Sequence, residues 1–164
     1  MSDTHPVDPF HAHDHAHCTA TVLARAEEQA RAEGVRLTPV RRRVLEILLE
    51  SHRAMGAYDV LERLAAEGYG KQPPVAYRAL DFLVEQGFAH RVRRLNAYAA
   101  CLSEKRDHAP SFLICRNCEQ VAEAESAALR GALADLGAEN GFTIERSTIE
   151  LLGLCAACAK AGQA

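Results

Sequence analysis

The chain has 164 residues, of which 48% are hydrophobic and 25% charged, with a net charge of −3. These values are typical of a soluble globular protein of one or two domains. No apolar run approaches the roughly 18–20 residues that span a bilayer, and the N-terminus lacks a secretory signal pattern. We therefore expect a cytoplasmic protein without a membrane partner. In that compartment the six cysteines stay reduced, which favours metal binding or catalysis over disulfides.

Charge is distributed unevenly along the chain. Residues 1–18 carry 0 basic and 3 acidic side chains, residues 19–98 carry 13 and 10, and residues 99–164 carry 6 and 9. The net charges of the last two ranges are therefore +3 and −3. This asymmetry favours an N-terminal half that faces nucleic acid and a C-terminal half with another role.

Residues 1–18 are predicted to form a disordered tail, because they contain two prolines and five histidines and few large apolar side chains. One hypothesis is that the histidines and Cys18 form a loose metal-capturing segment. The alternative is a solvated low-complexity segment without an essential role. The residues alone leave both hypotheses open.

Four helices are predicted next. The first is predicted from Thr19 to Gly34, because apolar side chains recur at helical spacing between these two residues. A second helix follows Thr38, which suits the N-cap, and Pro39, which suits the first helical position. A third lies in AYDVLERLAAEG, and the fourth, in GKQPPVAYRALDFLVEQG, ends at Gly87.

The hydrophobic period then changes to two. FAHRVRRLNAYAAC predicts two short strands and a turn. Helices followed by a β-hairpin form a winged helix-turn-helix domain, which we assign to residues 19–98. Residues 99–110 are predicted to be a hinge. Residues 111–164 read as a small α/β unit, which makes the fold class α+β. A unit of that size needs a metal or a partner subunit for stability.

Two C-x-x-C pairs lie in the C-terminal unit and supply four thiols. This spacing suits a tetrahedral Zn²⁺ site. The pairs are separated by the 36 residues 119–154, so a shared zinc ion would connect both ends of the unit and contribute to its folding. The alternative is a thioredoxin-like redox motif, which normally contains one such pair. The predicted structural zinc ligands are Cys115, Cys118, Cys155 and Cys158.

A second group of possible ligands surrounds the predicted hinge: His90, Cys101, His108 and Glu123. Each alone has an ordinary structural explanation, as a wing, core, loop or surface residue. Together they form a sulfur, nitrogen and oxygen set that suits zinc. A metal ion bound by all four would orient the DNA-binding part on the C-terminal part.

Several motifs occur in the order in which they occur in one known family. LTPVRRRVLEIL, AYDVLERL, PPVAYRALDFLVEQGFAHRV and the doubled C-x-x-C resemble the ferric-uptake-regulator (Fur) family over about residues 20–160. The stretch YRALDFLVEQGFAHRV with NAYAAC is most similar to its zinc-uptake branch. The resemblance implies a winged-helix domain, a hinge, a dimerisation domain and two Zn²⁺ per subunit. It implies a structural site at the four cysteines and a regulatory site at His90, Cys101, His108 and Glu123.

The resemblance also points to DNA contacts. Tyr77 and Arg78 lie near the start of the predicted recognition helix, where side chains reach bases and phosphates. Arg41 belongs to a run of three arginines, some of which should reach phosphates, and Arg91 lies on the predicted wing. The implied partners are a double-stranded DNA operator and a second copy of the chain, with one or two dimers on each operator.

The resulting hypothesis is a zinc-responsive transcriptional repressor and not an enzyme. Zinc would stabilise the dimer in a DNA-binding conformation at palindromic operators of zinc-uptake genes. One alternative is an iron, manganese or peroxide sensor on the same scaffold. Alternatives of another class are a zinc-dependent hydrolase, which would need an open zinc position, and a zinc-storage protein built around the tail.

Overall fold

The computed structural model describes residues 15–50, 53–103 and 110–162, with side chains from Thr19 onward. Helices and strands alternate unevenly along these ranges, with four helices before the first strand. The elements are α1 His15–Ala32, α2 Pro39–Leu49, α3 Ala57–Ala66, α4 Pro73–Glu85, β1 Ala89–Val92, β2 Ala97–Ala100, β3 Ser111–Cys115, β4 Val121–Ala124, α5 Ala127–Glu139, β5 Ile149–Gly153 and α6 Ala156–Ala161.

The N-terminal unit is a helical core followed by a hairpin. Helices α2, α3 and α4 pack on one another, and α1 packs on α2. Their buried side chains include Val44, Leu64 and Leu80, none of which is exposed to solvent. Strands β1 and β2 pair antiparallel, and Met55 forms a bridge with Tyr98 of β2. This order of helices and hairpin is the predicted winged helix-turn-helix, and the α+β class is confirmed.

Local signals explain the helix boundaries. The Thr38 side chain accepts a hydrogen bond from the Arg41 backbone N–H at 3.4 Å, and Pro39 is the first helical residue of α2. Helix α1 begins at His15, four residues before the predicted start at Thr19. The end of the predicted 1–18 tail is therefore helical, since no proline interrupts this stretch. Residues 1–14 of that tail lie outside the described residues.

The C-terminal unit is a three-stranded sheet with two helices. The strand order is β4-β3-β5, in which β3 and β4 are antiparallel and β3 and β5 parallel. The segment FTIERSTIELLGLC, predicted to contain one or two strands, contains one, β5. Phe142 instead completes the end of α5, where its backbone N–H donates to the Gly137 carbonyl at 2.8 Å. The short helix α6 was not predicted.

A small apolar cluster joins the two units. Its buried members are Val92 of the wing and Phe112, Ile114 and Val121 of the sheet. A backbone bridge between Arg53 and Gln120 lies beside it. Strand β2 continues to Ala100, so the start of the predicted 99–110 hinge is part of the wing, and residues 104–109 lie outside the described residues.

The C-terminal unit exposes several large apolar side chains. They include Leu136 at 55%, Phe142 at 68% and Leu151 at 50% exposure. Large exposed apolar patches mark interaction surfaces, so these side chains are candidates for one. Within the described part of the chain, none of the helices has the length and apolar character needed to cross a membrane.

Two glycines of α5 provide a matched test of its packing. A Cβ atom at Gly137 would lie 2.8 Å from the Phe142 carbonyl oxygen, whereas one at Gly131 would meet no atom within 4 Å. We expect Gly137→Ala to lower the free energy of unfolding by about 1–3 kcal/mol. Gly131→Ala should raise it by up to about 1 kcal/mol, because alanine favours the helix. Thermal unfolding of the two variants checks this, and shifts in the same direction would contradict it.

Candidate metal centres and nucleic-acid interface

Four thiols meet at one end of the C-terminal sheet. Cys115 ends β3, Cys118 lies in the following turn, and Cys155 and Cys158 flank the start of α6. All four sulfur atoms lie within 4.8 Å of one another, and the Cys118 and Cys155 sulfurs are 3.9 Å apart. Four sulfurs at about 2.3 Å from a tetrahedral zinc ion would be separated by about 3.8 Å, so the residues fit that metal.

Hydrogen bonds and charge repulsion make these thiols unequal. Backbone N–H groups of Cys118 and Cys155 lower the pKa of the Cys115 thiol to about 6. A backbone hydrogen bond from Gln120 lowers the pKa of Cys118, but burial and the neighbouring sulfurs raise it by more, to about 11. Such a crowded group cannot ionise fully without a cation. Zn²⁺ would supply the compensating charge and keep all four thiolates bound.

The first C-x-x-C pair is also connected to the N-terminal unit. Gln120 accepts a hydrogen bond from the Cys115 backbone N–H at 3.0 Å, and the same residue forms the bridge with Arg53. Asn117 donates to the Cys158 sulfur at 3.3 Å. These contacts orient the cysteine ligands and link the first C-x-x-C pair to the segment that precedes α3.

A second group of ligand atoms lies between the wing and the sheet. The donor atoms of His90 on β1, Cys101 after β2 and Glu123 on β4 all lie within 4.8 Å of one another. His90 Nε2 is 3.2 Å from Glu123 Oε1, and the two side chains are 15% and 7% exposed. The structure thus brings together three of the four predicted regulatory ligands. The fourth, His108, lies outside the described residues.

The surroundings orient this second group. Burial lowers the pKa of the His90 imidazole, but hydrogen bonds with Cys101 and Glu123 raise it by more, to about 9. The Leu102 backbone N–H donates to Glu123 Oε2 at 3.1 Å, and the His90 ring lies 5.5 Å from the Phe112 ring. One thiol, one imidazole and one carboxylate in a mostly buried position suit a borderline-soft divalent cation such as Zn²⁺.

Sequence reasoning missed a contact from α1 to this group. The Arg25 guanidinium donates to the Cys101 carbonyl at 3.1 Å and to the Leu102 carbonyl at 3.5 Å. Arg25 therefore fixes the backbone that carries one ligand. The two partners are 76 residues apart in sequence, so no local pattern indicates the contact.

The predicted recognition residues lie on an exposed face of α4. Tyr77 is 40% exposed, and its ring lies edge-on to that of Tyr58, with the ring centres 6.4 Å apart. Tyr58, on α3, is 68% exposed and was not predicted. In the sequence, Tyr58 stands among the polar positions of an amphipathic helix. A large aromatic side chain at such a position is the signal that could have indicated it. Arg78 lines a groove with Arg41 between the starts of α2 and α4.

The three consecutive arginines of α2 have different surroundings. Arg41 lies over the Phe82 ring at 3.6 Å and donates to the Arg36 carbonyl at 2.7 Å. Arg42 pairs with Glu27 of α1 and with Glu46. Arg43 donates to Glu67, Glu50 and Glu46, and the hydrogen bond with Glu67 holds its pKa above the usual range. Arg42 and Arg43 thus join α2 to its neighbours, and Arg41 stays the predicted DNA contact of the three.

The wing arginines are exposed. The Arg91 guanidinium donates to the Asn96 side-chain oxygen at 3.0 Å and lies 5.9 Å from the Tyr98 ring centre. The backbone N–H groups of Arg93 and Arg94 contact the Glu150 carboxylate of β5. This contact was not predicted. The roles of Arg91, Arg41, Tyr77 and Arg78 in DNA binding stay predictions.

Comparisons with known proteins agree on one family. The family model described as the ferric uptake regulator family matches residues 32–152. The zinc uptake regulation protein of Escherichia coli strain K12 is 40% identical over 141 residues, 85% of this chain and 82% of that protein. The ferric uptake regulation protein of Bordetella parapertussis is 29% identical over 128 residues, 77% of this chain and 91% of that protein.

Solved structures allow the arrangement of the whole chain to be compared with known holo and apo forms. A zinc uptake regulator complexed with zinc and DNA has a TM-score of 0.81 at 38% identity, covering 89% of this chain and 98% of that chain. Holo XcZur and apo XcZur are each 34% identical and cover 87% of this chain and 99% of theirs, but their TM-scores are 0.75 and 0.52. The described arrangement therefore resembles the holo form more than the apo form. The chain belongs to the ferric uptake regulator family.

Proposed function

We propose that the protein is a zinc-responsive transcriptional repressor of zinc-uptake genes, acting in the cytoplasm as a homodimer on palindromic operators. The observation that carries the proposal is the position of the second metal centre. Its ligand atoms come from the wing and from the sheet, and they lie within 4.8 Å of one another. The 40% identity with the zinc uptake regulation protein of Escherichia coli supports zinc as the signal.

The geometry suggests how metal and DNA binding are coupled. His90 and Cys101 move with the wing, whereas Glu123 moves with the sheet. Binding one Zn²⁺ requires these residues to stay together, which selects the arrangement in which the wing lies on the sheet. If that arrangement also binds the operator better, zinc and DNA must each raise the affinity for the other by the same factor. The greater similarity to holo than to apo XcZur supports the assignment.

The two centres would have different roles. Four cysteine ligands complete a tetrahedral shell, so the Cys115 site is suited to a permanent structural ion. The second centre is shared between two units and includes softer and harder ligands, so its occupancy can depend on the free zinc concentration. Two Zn²⁺ per subunit follow from this assignment. We include His108 as the fourth regulatory ligand.

The dimer would be formed through the exposed apolar side chains of the C-terminal unit, including Leu136, Phe142 and Leu151. A two-fold axis would place the two α4 helices in successive major grooves of a palindromic site. Tyr77, Arg78, Arg41 and Arg91 would then contact bases and phosphates. We further propose that residues 19–98 bind DNA and that residues 111–164 form the dimerisation domain.

An iron, manganese or peroxide sensor is the competing function on this scaffold. The thiol of Cys101 favours zinc over Fe²⁺ and Mn²⁺, which prefer harder ligands. Members of this family regulate transcription and are not enzymes, which argues against a zinc-dependent hydrolase.

The first prediction from the proposed function concerns metal dependence. With the structural site filled throughout, affinity for a promoter fragment from beside a zinc-import gene should rise steeply with buffered free Zn²⁺. Electrophoretic mobility shift or fluorescence anisotropy measures it, with Fe²⁺ and Mn²⁺ buffers in parallel. An affinity that does not change with zinc, or that rises at lower free Fe²⁺ or Mn²⁺, would contradict the proposal.

A second prediction tests the ligand set. Cys101→Ser keeps the shape of the side chain but removes the thiolate, so the free zinc needed for half-maximal DNA binding should rise by at least about tenfold. Cys18→Ser is the control, because it removes a thiol that is not among the proposed ligands of either centre. Equal zinc dependence of the two variants would exclude Cys101 as a regulatory ligand.

A third prediction separates the two centres. Cys118→Ser should lower the zinc content by one ion per subunit and lower the thermal unfolding temperature, because structural zinc contributes to folding. Cys101→Ser should leave the unfolding temperature nearly unchanged at low zinc. Elemental analysis and calorimetry measure both quantities. Retention of the full zinc content by Cys118→Ser would argue against the four-cysteine site.

A further inference from the structure

Three side chains form a row across the C-terminal sheet. Phe112 of β3 lies opposite Glu123 of β4 and, on the other side, opposite Glu150 of β5. Residues paired in this way project on the same face of a sheet. Glu123 contacts His90, and Phe112 belongs to the apolar cluster with Val92. The wing therefore rests on this row.

Glu150 contacts the wing at its turn. The backbone N–H of Arg93 donates to one carboxylate oxygen at 2.6 Å, and that of Arg94 donates to the other at 2.9 Å. Two successive backbone N–H groups and a carboxylate form short, charge-assisted hydrogen bonds. The partners are 57 and 56 residues apart in sequence and belong to different units.

The turn presents these N–H groups in a defined conformation. Asn96 has a positive φ of 47°, and its backbone N–H donates to the Arg93 carbonyl at 3.0 Å. The ladder between β1 and β2 extends only to the pair Val92 and Ala97. The N–H groups of Arg93 and Arg94 therefore lie beyond the ladder, where a carboxylate from outside the hairpin can accept from them.

Two separate points then fix the wing on the sheet. The His90 contact with Glu123 lies near the start of β1, and the Glu150 contact lies three to four residues further on. At about 3.3 Å per residue the two points are roughly 10 Å apart. One point of attachment would allow the hairpin to pivot, whereas two points determine its direction. The first point belongs to a metal centre, and the second contains no metal ligand.

We propose that Glu150 is a positioning residue that stabilises the DNA-binding arrangement independently of zinc and thereby sets how much zinc the repressor requires. The inference rests on the proposed function. The Glu150 contact exists only when the wing lies on the sheet, so it favours the same arrangement as zinc. Loss of the contact shifts the equilibrium away from that arrangement, and more zinc is then needed to restore it.

The charge of Glu150 makes the test unusually direct. Removal of a negative charge from a protein ordinarily strengthens its binding to DNA, because the repulsion between the protein and the phosphates decreases. Glu150→Gln should instead weaken zinc-dependent binding, since a neutral amide accepts weaker hydrogen bonds from Arg93 and Arg94. Glu145→Gln is the matched control. It makes the same charge change at an exposed glutamate five residues earlier.

Two readouts are measured on the full-length protein with the four-cysteine site filled. The first is the free Zn²⁺ concentration at half-maximal operator binding, which should rise by roughly fivefold in Glu150→Gln. The second is amide hydrogen exchange of Arg93 and Arg94 by NMR, which should become faster by a similar factor. Glu150→Asp retains the carboxylate, so both changes should be smaller in this variant than in Glu150→Gln.

The outcomes separate the possible explanations. If Glu150→Gln matches Glu145→Gln in both readouts, the inference is wrong. It is also wrong if the effect accompanies loss of the four-cysteine zinc or of the cooperative unfolding transition, because Glu150 would then be a general structural residue. The amide exchange does not involve DNA. If DNA binding by the wild-type protein does not depend on zinc, the proposed function is wrong. The amide exchange of Arg93 and Arg94 then still tests the Glu150 contact.

Discussion

The contact between the wing hairpin and one face of the three-stranded sheet is the interaction on which the rest of this structure depends. Phe112 lies at its centre, 1% exposed, with Val92 of the wing in the same apolar cluster. The cluster is small, so apolar burial alone gives only a modest preference for this arrangement. Polar and metal-binding groups at its edges can therefore decide whether it forms.

The two metal centres differ in what they join. The four-cysteine centre joins β3, its turn and α6, all within the C-terminal unit. That unit exposes several of its large apolar side chains, so it depends on a metal ion and a partner subunit more than a larger domain would. The second centre brings together β1, the segment after β2 and β4, across two units. A metal ion bound there would therefore favour the arrangement in which the two units lie together.

A network of ion pairs joins two helices of the N-terminal unit. Arg43 pairs with Glu46 of α2, with Glu50 at the C-cap of α2 and with Glu67 at the C-cap of α3. Exposed pairs contribute little one at a time, but a network with a shared guanidinium restrains two helices relative to each other. The position of α4, which packs on both, is thereby better defined. Tyr58 of α3 and Tyr77 of α4 meet through exposed rings.

Local patterns made much of the fold predictable. The caps at Thr38 and Pro39, the stop at Gly87 and the change of period at the wing each involve neighbours in sequence, and the structure agrees with them. Two C-x-x-C pairs indicate a metal site because each pair already has the required spacing. The start of α1 at His15 and the helix α6 escaped prediction, since short or polar helical segments lack a clear apolar period.

The sequence by itself determined most of the helices, the hairpin and the family to which the chain belongs, and it predicted the four-cysteine ligand set. It also suggested the set His90, Cys101, His108 and Glu123, first as donor atoms that suit zinc and then through the family resemblance, although these residues have no spacing rule of their own. Tertiary structure alone decided the row of Glu123, Phe112 and Glu150 across the sheet. That row results from strand order and register, which are fixed by packing between distant segments and not by the order of residues within any one of them.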